Sequence, residues 1–150
     1  MGKPARILVV DDDENIRVTI EAILENEGYA VDVAVNGREA IKKSESTAYN
    51  LALIDIRLPD MEGIELLTSM KDTVPKVRKI IITGYPSMQN AIDAVNRNAD
   101  AYLVKPVDVD KLLELVRRQL KLQGAEKKYN QQKVAEFIET RAKEISETNR

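Results

Sequence analysis

Arg6-Ile7-Leu8-Val9-Val10-Asp11-Asp12-Asp13 begins as a short run rich in β-branched and aliphatic residues and ends on three acids. The apolar part is strand-like, and after the acids Ile16, Ile20, Ile23 and Leu24 recur at helical spacing on one face. The segment therefore reads as strand, loop and helix, with Asp13 as the N-cap and Gly28, just past Glu27, as the stop. The same unit then repeats. Tyr29 to Val35 reads as a second strand, and Asn36-Gly37 leads into a short helix carrying Ala40 and Ile41. Leu51 to Asp55 is a third strand, its unbroken apolar run indicating burial on both faces. Leu58 to Gly63 is loop chemistry before a helix with Ile64, Leu66, Leu67 and Met70. Val77 to Thr83, Ser87 to Asn96, Ala101 to Val104 and Asp110 to Leu122 complete the alternation. Five βα units in a row predict an α/β fold, a doubly wound five-stranded parallel sheet with helices on both faces and right-handed crossovers.

Composition narrows the function classes. The chain has 150 residues, 43% of them hydrophobic, enough for one domain of ordinary size with an appendage. A formal net charge of -2 gives no electrostatic footprint for nucleic acid or an anionic membrane, so direct nucleic-acid binding by this segment is not expected. No run of about 18 apolar residues occurs, so no membrane span is expected either. The start Met1-Gly2-Lys3-Pro4-Ala5-Arg6 lacks a signal-peptide pattern. The absence of cysteine removes disulfides and thiolate chemistry and fits a cytoplasmic location. The absence of histidine removes Ser-His-Asp and Cys-His mechanisms and the commonest zinc sites. Chemistry on this chain must run on carboxylates, hydroxyls, lysine and a metal.

Those residue types stand where strands end. Setting the first, third, fourth and fifth strands in one sheet brings Asp11, Asp12, Asp55, Thr83 and Lys105 to its carboxyl edge, where ligands of open parallel sheets bind. Clustered carboxylates repel and raise one another's pKa values unless a cation joins them. Oxygen-only ligands favour a hard ion, and an open site with few protein carboxylates suits Mg²⁺. Asp55 is then placed as a nucleophile toward phosphorus, with Lys105 offsetting charge on the incoming phosphoryl group and the Thr83 hydroxyl donating to one of its oxygens. Each residue has an ordinary alternative as cap, turn or strand filling; their joint placement at four strand ends does not.

Ile7-Leu8-Val9-Val10-Asp11-Asp12-Asp13, Leu53 to Gly63, Ile81-Ile82-Thr83-Gly84 and Tyr102-Leu103-Val104-Lys105-Pro106 resemble the receiver domains of two-component response regulators, from about Arg6 to Leu122. The resemblance implies a flavodoxin-like sheet of order 2-1-3-4-5. It implies Asp55 as phospho-acceptor, with Mg²⁺ held by Asp12, Asp55, Asp11 through water and the Arg57 backbone carbonyl. Thr83 and Lys105 match the phosphoryl-binding pair, and Thr83 with Tyr102 matches the switch. The implied phosphodonor is a histidine kinase or a small phosphodonor, and kinase specificity is expected mainly around Glu14, Arg17, Val18 and Glu21. The implied dimer face is the fourth helix, fifth strand and fifth helix. Asp100 is followed by Ala101 where charge-paired relatives often carry two acids.

Two bulky residues, Arg57 and Tyr85, flank the access to the site and are expected to shield a phosphoryl group from water. The receiver is expected to occupy 1–123. After Gly124 the chain becomes charged, with Val134, Ile138, Ala142 and Ile145 at helical spacings, and 124–150 reads as a separate amphipathic helix, a coiled-coil linker to an output module beyond this segment and a second route to a homodimer. The main alternative is an Mg²⁺-dependent aspartyl-phosphate phosphatase of haloacid dehalogenase type, whose signature wants an acid two residues after the nucleophile, where Arg57 stands after Asp55. A pure interaction scaffold is expected to lack one of Asp12, Asp55 or Lys105, and all three are present. As a receiver, the chain is expected to be no enzyme beyond its own phosphorylation and dephosphorylation.

Overall fold

The computed structural model describes residues 2–148, with Met1, Asn149 and Arg150 outside it. Its elements alternate as the sequence periodicity requires: β1 (Arg6–Val10), α1 (Glu14–Asn26), β2 (Ala30–Ala34), α2 (Gly37–Ser46), β3 (Leu51–Asp55), α3 (Gly63–Ser69), β4 (Arg78–Thr83), α4 (Met88–Asn96), β5 (Ala101–Val104) and α5 (Val109–Thr148). The five strands form one sheet in the order β2-β1-β3-β4-β5, and every pairing is parallel.

Side chains alternate along each strand and so feed two separate cores. Leu8, Val10, Ala52, Ile54 and Ile81 face α2, α3 and α4, packing with Ala40, Leu66, Leu67 and Ala94. Ile7, Val9, Leu51, Leu53, Ile80 and Ile82 face the other way, against Ile20 and Leu24 of α1 and Leu112, Leu113 and Val116 of α5. Because both faces are covered, every residue of β3 is buried, Asp55 included. Asp13 caps α1 by accepting from the Ile16 amide at 3.1 Å, and Gly28 ends the helix with φ 94°.

The expected break after Leu122 does not occur. α5 runs unbroken through Gly124 for 40 residues, so the fifth helix and the C-terminal amphipathic segment are one helix. A single glycine costs a helix only about 1 kcal/mol relative to alanine, and no proline follows to end it. The body of the protein also grips the helix on both sides of Gly124. Gln123, buried, donates through Nε2 to the carbonyls of Asn50 and Lys76 at 2.8 and 2.7 Å and accepts from Asn50 Nδ2 at 3.0 Å. Beyond the glycine, Glu126 pairs with Arg78 at 3.0 Å, and Arg78 also pairs with Asp100 at 3.3 Å. Farther out the helix leaves the body, and Tyr129, Val134, Phe137, Ile138 and Ile145 are exposed.

Two glycines make opposite demands. Gly63 opens α3 where the chain folds back on β3: its amide donates to the Ile56 carbonyl at 2.7 Å, and a Cβ there would lie 2.1 Å from the Asp55 carbonyl oxygen. At Gly124 a Cβ would meet nothing within 4 Å. Gly63→Ala is therefore expected to destabilise the protein by about 1–3 kcal/mol or more, and Gly124→Ala to stabilise it by about 1 kcal/mol. Urea unfolding midpoints check both signs.

Candidate functional site

β1 and β3 are neighbours, yet the chain leaves them toward opposite sides of the sheet, β1 to β2 and β3 to β4. Their carboxyl ends flank the topological switch point, the crevice where open α/β sheets bind ligands. Asp11 follows β1 directly and is 3% exposed; Asp55 is the last residue of β3 and is 8% exposed. Asp12 is exposed beside them, and one carboxylate oxygen from each of Asp11, Asp12 and Asp55 lies within 4.8 Å of the other two.

Lys105, from the end of β5, reaches across the top of β4 into this cluster. Its backbone amide donates to the Thr83 carbonyl at 2.7 Å, which fixes where the side chain starts. Its Nζ then donates to Asp11 Oδ2 at 3.2 Å and Asp55 Oδ2 at 3.1 Å. The Lys105–Pro106 peptide is cis. Burial opposes the ammonium, but the charges of Asp11 and Asp55 outweigh it and hold the Lys105 pKa above the ordinary lysine value. Burial pushes the Asp11 carboxyl up, and the Asp55 charge adds to that, while the Asp13 amide, donating to Asp11 Oδ1 at 2.9 Å, and Lys105 oppose it. One ammonium, bonded to two of the three clustered carboxylates, leaves excess negative charge in a partly buried pocket of hard oxygen donors. That donor set fits a hard divalent cation.

Thr83, the last residue of β4, is fully buried, and its hydroxyl oxygen accepts from the Tyr85 amide at 2.9 Å. Tyr102 of β5 packs partly buried against the core on the α2, α3 and α4 side. Its hydroxyl is buried with no hydrogen-bond partner among the described residues. The Arg57 amide donates to Asp55 Oδ1 at 3.2 Å. The Arg57 guanidinium lies over the Tyr85 ring, 4.5 Å from its centroid, so the two bulky residues expected at the entrance stack on each other.

Asp11, Asp12, Asp55, Arg57, Thr83, Tyr85 and Lys105 therefore gather at the carboxyl end of the sheet, with Tyr102 inside β5 beside Ile81. Two further side chains that serve it were not singled out for that role. Arg17, on α1, donates through Nη1 to the Asp11 carbonyl at 2.9 Å and steadies the turn that carries the acids. Asp60 ties the loop after β3 to α2. Arg17 follows Asp13 by one helical turn, a spacing that could have flagged it; Asp60 bonds residues more than 20 positions away and leaves no local signal.

The comparisons with known proteins agree with this geometry. The profile of the response regulator receiver domain matches residues 7–117. The transcriptional regulatory protein ZraR of Klebsiella oxytoca is 40% identical over 111 residues, 74% of this chain and 25% of that protein, so the chain spans about a quarter of this relative's length. Among solved structures, a CheY-like response regulator receiver domain protein from Methanospirillum hungatei JF-1 is 46% identical with a TM-score of 0.78, covering 82% of this chain and 98% of that one. A response regulator protein from Burkholderia pseudomallei, solved with a phosphorylated aspartic acid, a calcium ion and citrate, is 32% identical with a TM-score of 0.69, covering 81% and 72%. The haloacid dehalogenase alternative finds no support in these likenesses. The chain belongs to the receiver domain family of two-component response regulators, phosphoryl-accepting switches in signal transduction.

Proposed function

We propose that Asp55 is the residue that accepts the phosphoryl group, and that Asp11, Asp12, Asp55 and the Arg57 backbone carbonyl hold Mg²⁺ beside it. The observation that carries this reading is the Lys105 ammonium bonded to both Asp11 and Asp55 within a cluster of three carboxylates. The phosphorylated aspartic acid and cation of the Burkholderia pseudomallei relative support it by analogy. When bound, Mg²⁺ offsets the charge of the phosphoryl oxygens and of the carboxylates around them. The protein's own part is positional. An Asp55 carboxylate oxygen forms a bond to phosphorus as the bond from phosphorus to the donor breaks, and the donor leaves as acetate from acetyl phosphate or as the imidazole of a kinase histidine. Lys105 exchanges part of its bonding from the carboxylates to a phosphoryl oxygen, and the Thr83 hydroxyl donates to another.

The switch follows from the same contacts. In this reading the Thr83 hydroxyl, which accepts from the Tyr85 amide, donates to the phosphoryl group once it is present, and Tyr102 on the adjacent strand turns inward as Thr83 moves. The output partner is then met through α4, β5 and α5. Two arrangements of a homodimer fit, one through that face and one through the exposed apolar positions of α5. On the first, Asp100 is already committed to Arg78 and to the Lys79 amide at 2.8 Å, so charge pairing across a dimer does not draw on it. A histidine kinase is the upstream partner. The receiver unit is 1–123, with 124–150 as the linker to an output module. A cytoplasmic location belongs to the same proposal; no described helix is long and apolar enough to cross a membrane.

Incubation with acetyl phosphate and Mg²⁺ is expected to add the mass of one phosphoryl group, with no gain in Asp55→Asn or in the absence of Mg²⁺. Intact-protein mass spectrometry reads this directly, and a gain retained by Asp55→Asn overturns the assignment. The Arg57–Tyr85 stack is expected to slow hydrolysis by limiting water. The double variant Arg57→Asn, Tyr85→Ala should lose the phosphoryl group about tenfold faster, equivalent to about 1.4 kcal/mol in the barrier.

The raised Asp11 pKa sets the pH dependence of the metal-free protein. A carboxyl whose folded pKa exceeds its unfolded value contributes stability at low pH that is lost as pH rises through the folded pKa. Metal-free Asp11→Asn should therefore melt higher than the metal-free wild type at pH 7, and the gap should close on acidification. Mg²⁺ at a hundred times its Kd stabilises a chain by about 2.7 kcal/mol, on the order of 5–10 °C in Tm at this size. Asp11→Asn should lose most of that rise. Thermal melts across pH, with and without Mg²⁺, test both statements.

A further inference from the structure

Between Asp55 and Gly63 the chain makes a compact turn. Internally it is closed by Leu58 N to Met61 O at 3.1 Å, by Gly63 N to Ile56 O at 2.7 Å and by a bridge between Arg57 and Glu62. These bonds give the turn its shape but tie it only to its own stem. On one side the Arg57 guanidinium lies over the Tyr85 ring, and toward α2 the turn is seated by Asp60. One carboxylate oxygen accepts from the Gly37 amide and the other from the Arg38 amide, both at 2.9 Å. The next amide of the same helix, Glu39, donates to the local cap Asn36 at 2.8 Å. The opening amides of α2 are thus divided between a neighbouring side chain and a carboxylate from the loop that follows β3. The negative charge of Asp60 also faces the positive end of the α2 dipole.

Apolar packing repeats the attachment one residue on. Met61 lies over Gly37 so closely that a Cβ at 37 would meet its sulfur at 2.3 Å. The turn is therefore clasped to the start of α2 by a bidentate polar contact and a fitted side chain, three residues from Arg57.

We propose that Asp60 is a positioning residue for the carboxylate site: by pinning the 57–62 turn to the first turn of α2, it sets the place of the Arg57 carbonyl and hence the affinity of the site for a divalent cation. The proposal rests on the reading above in which that carbonyl is a metal ligand. The physical ground is the narrow tolerance of Mg²⁺, which demands near-octahedral geometry at about 2.0–2.1 Å. A carbonyl on an unpinned turn meets that demand only at the expense of ordering the turn on binding. Groups that orient a ligand from outside typically change metal affinity by about 10–100-fold when removed. Linkage makes the effect reciprocal: a cation that favours the pinned turn also tightens the start of α2, although no α2 side chain belongs to the cluster.

The test compares two lost caps on one helix. Asp60→Ala removes the clasp, whereas Asn36→Ala removes the local cap of α2 and leaves the turn bonded. Isothermal calorimetry with Mg²⁺ should show about tenfold weaker binding for Asp60→Ala and no more than about a twofold change for Asn36→Ala, although both variants melt lower than wild type. Amide exchange at Gly37 and Arg38 should slow on adding Mg²⁺ to wild type and stay unchanged by Mg²⁺ in Asp60→Ala. Asp60→Asn, which keeps an acceptor oxygen, should fall between and stands in if the alanine variant does not fold. Equal weakening by the two cap variants, or wild-type Mg²⁺ affinity in Asp60→Ala, overturns the proposal. A wild type that binds Mg²⁺ with this dependence on Asp60 but takes no phosphoryl group overturns the phospho-acceptor reading alone. A wild type that binds no Mg²⁺ overturns both.

Discussion

A lysine ammonium held between two carboxylates at the carboxyl end of the sheet is the contact on which the arrangement of this site depends. The Lys105 side chain is 20% exposed, and those of Asp11 and Asp55 are 4% and 10% exposed, so the pair of bonds lies nearer the buried than the surface limit. That distinction decides its weight. Exposed pairs contribute about 0–1 kcal/mol, whereas removing the lysine from a buried cluster of this kind costs about 3–5 kcal/mol because it strands the carboxylates. Lys105 therefore does two things at once. It makes carboxylates tolerable at the ends of buried strands, and it ties the end of β5 to the ends of β1 and β3 across Thr83. What it does not do is balance the cluster, and the remaining negative charge is what suits the site to a cation.

The sheet makes this possible because it has no free face. With α1 and α5 on one side and α2, α3 and α4 on the other, alternate residues of β1, β3 and β4 enter two cores, and in β3, buried throughout, the only polar side chain is Asp55 at its end. The reversal of winding between β1 and β3 then leaves a gap between helices at those ends. The same geometry explains the demand at Gly63. A chain that must turn back over the last carbonyl of β3 to begin α3 has no room for a side chain there, and so the residue that shapes the loop also crowds the Asp55 backbone.

The opposite end of the sheet is built for a different task. Asn50, Gln123, Arg78, Asp100 and Glu126 form a polar lattice that fixes α5 to the bottoms of β1, β3 and β4, with the Gln123 amide buried and both its atoms bonded. β4 joins the two ends, with Thr83 at the carboxylate site and Arg78 at the helix. A helix gripped on both sides of Gly124 leaves the body in a direction set by the body, which a frayed or hinged linker would not do.

Hydrophobic periodicity is local information, and it was enough to fix the alternation of strands and helices. Val9, Leu53 and Ile81 lie in runs whose length and branching admit little but a buried strand, and Asp13 and Gly28 mark helix ends by chemistry that acts over three or four residues. The joint occurrence of Asp11, Asp12, Asp55, Thr83 and Lys105 after apolar runs was likewise legible, because a parallel sheet puts all such ends at one edge. The separate C-terminal helix was inferred from an equally local signal, the change to charged composition after Gly124, whereas the continuity of α5 is held by Gln123 and Glu126 bonding to residues tens of positions away. The Asp60 clasp on α2 and the stacking of Arg57 on Tyr85 were decided only by tertiary structure. Hydrogen bonds and stacking act over a few ångströms, and which groups come within that range is settled by how helices seat on the sheet, a property of the whole packed chain rather than of any stretch of it.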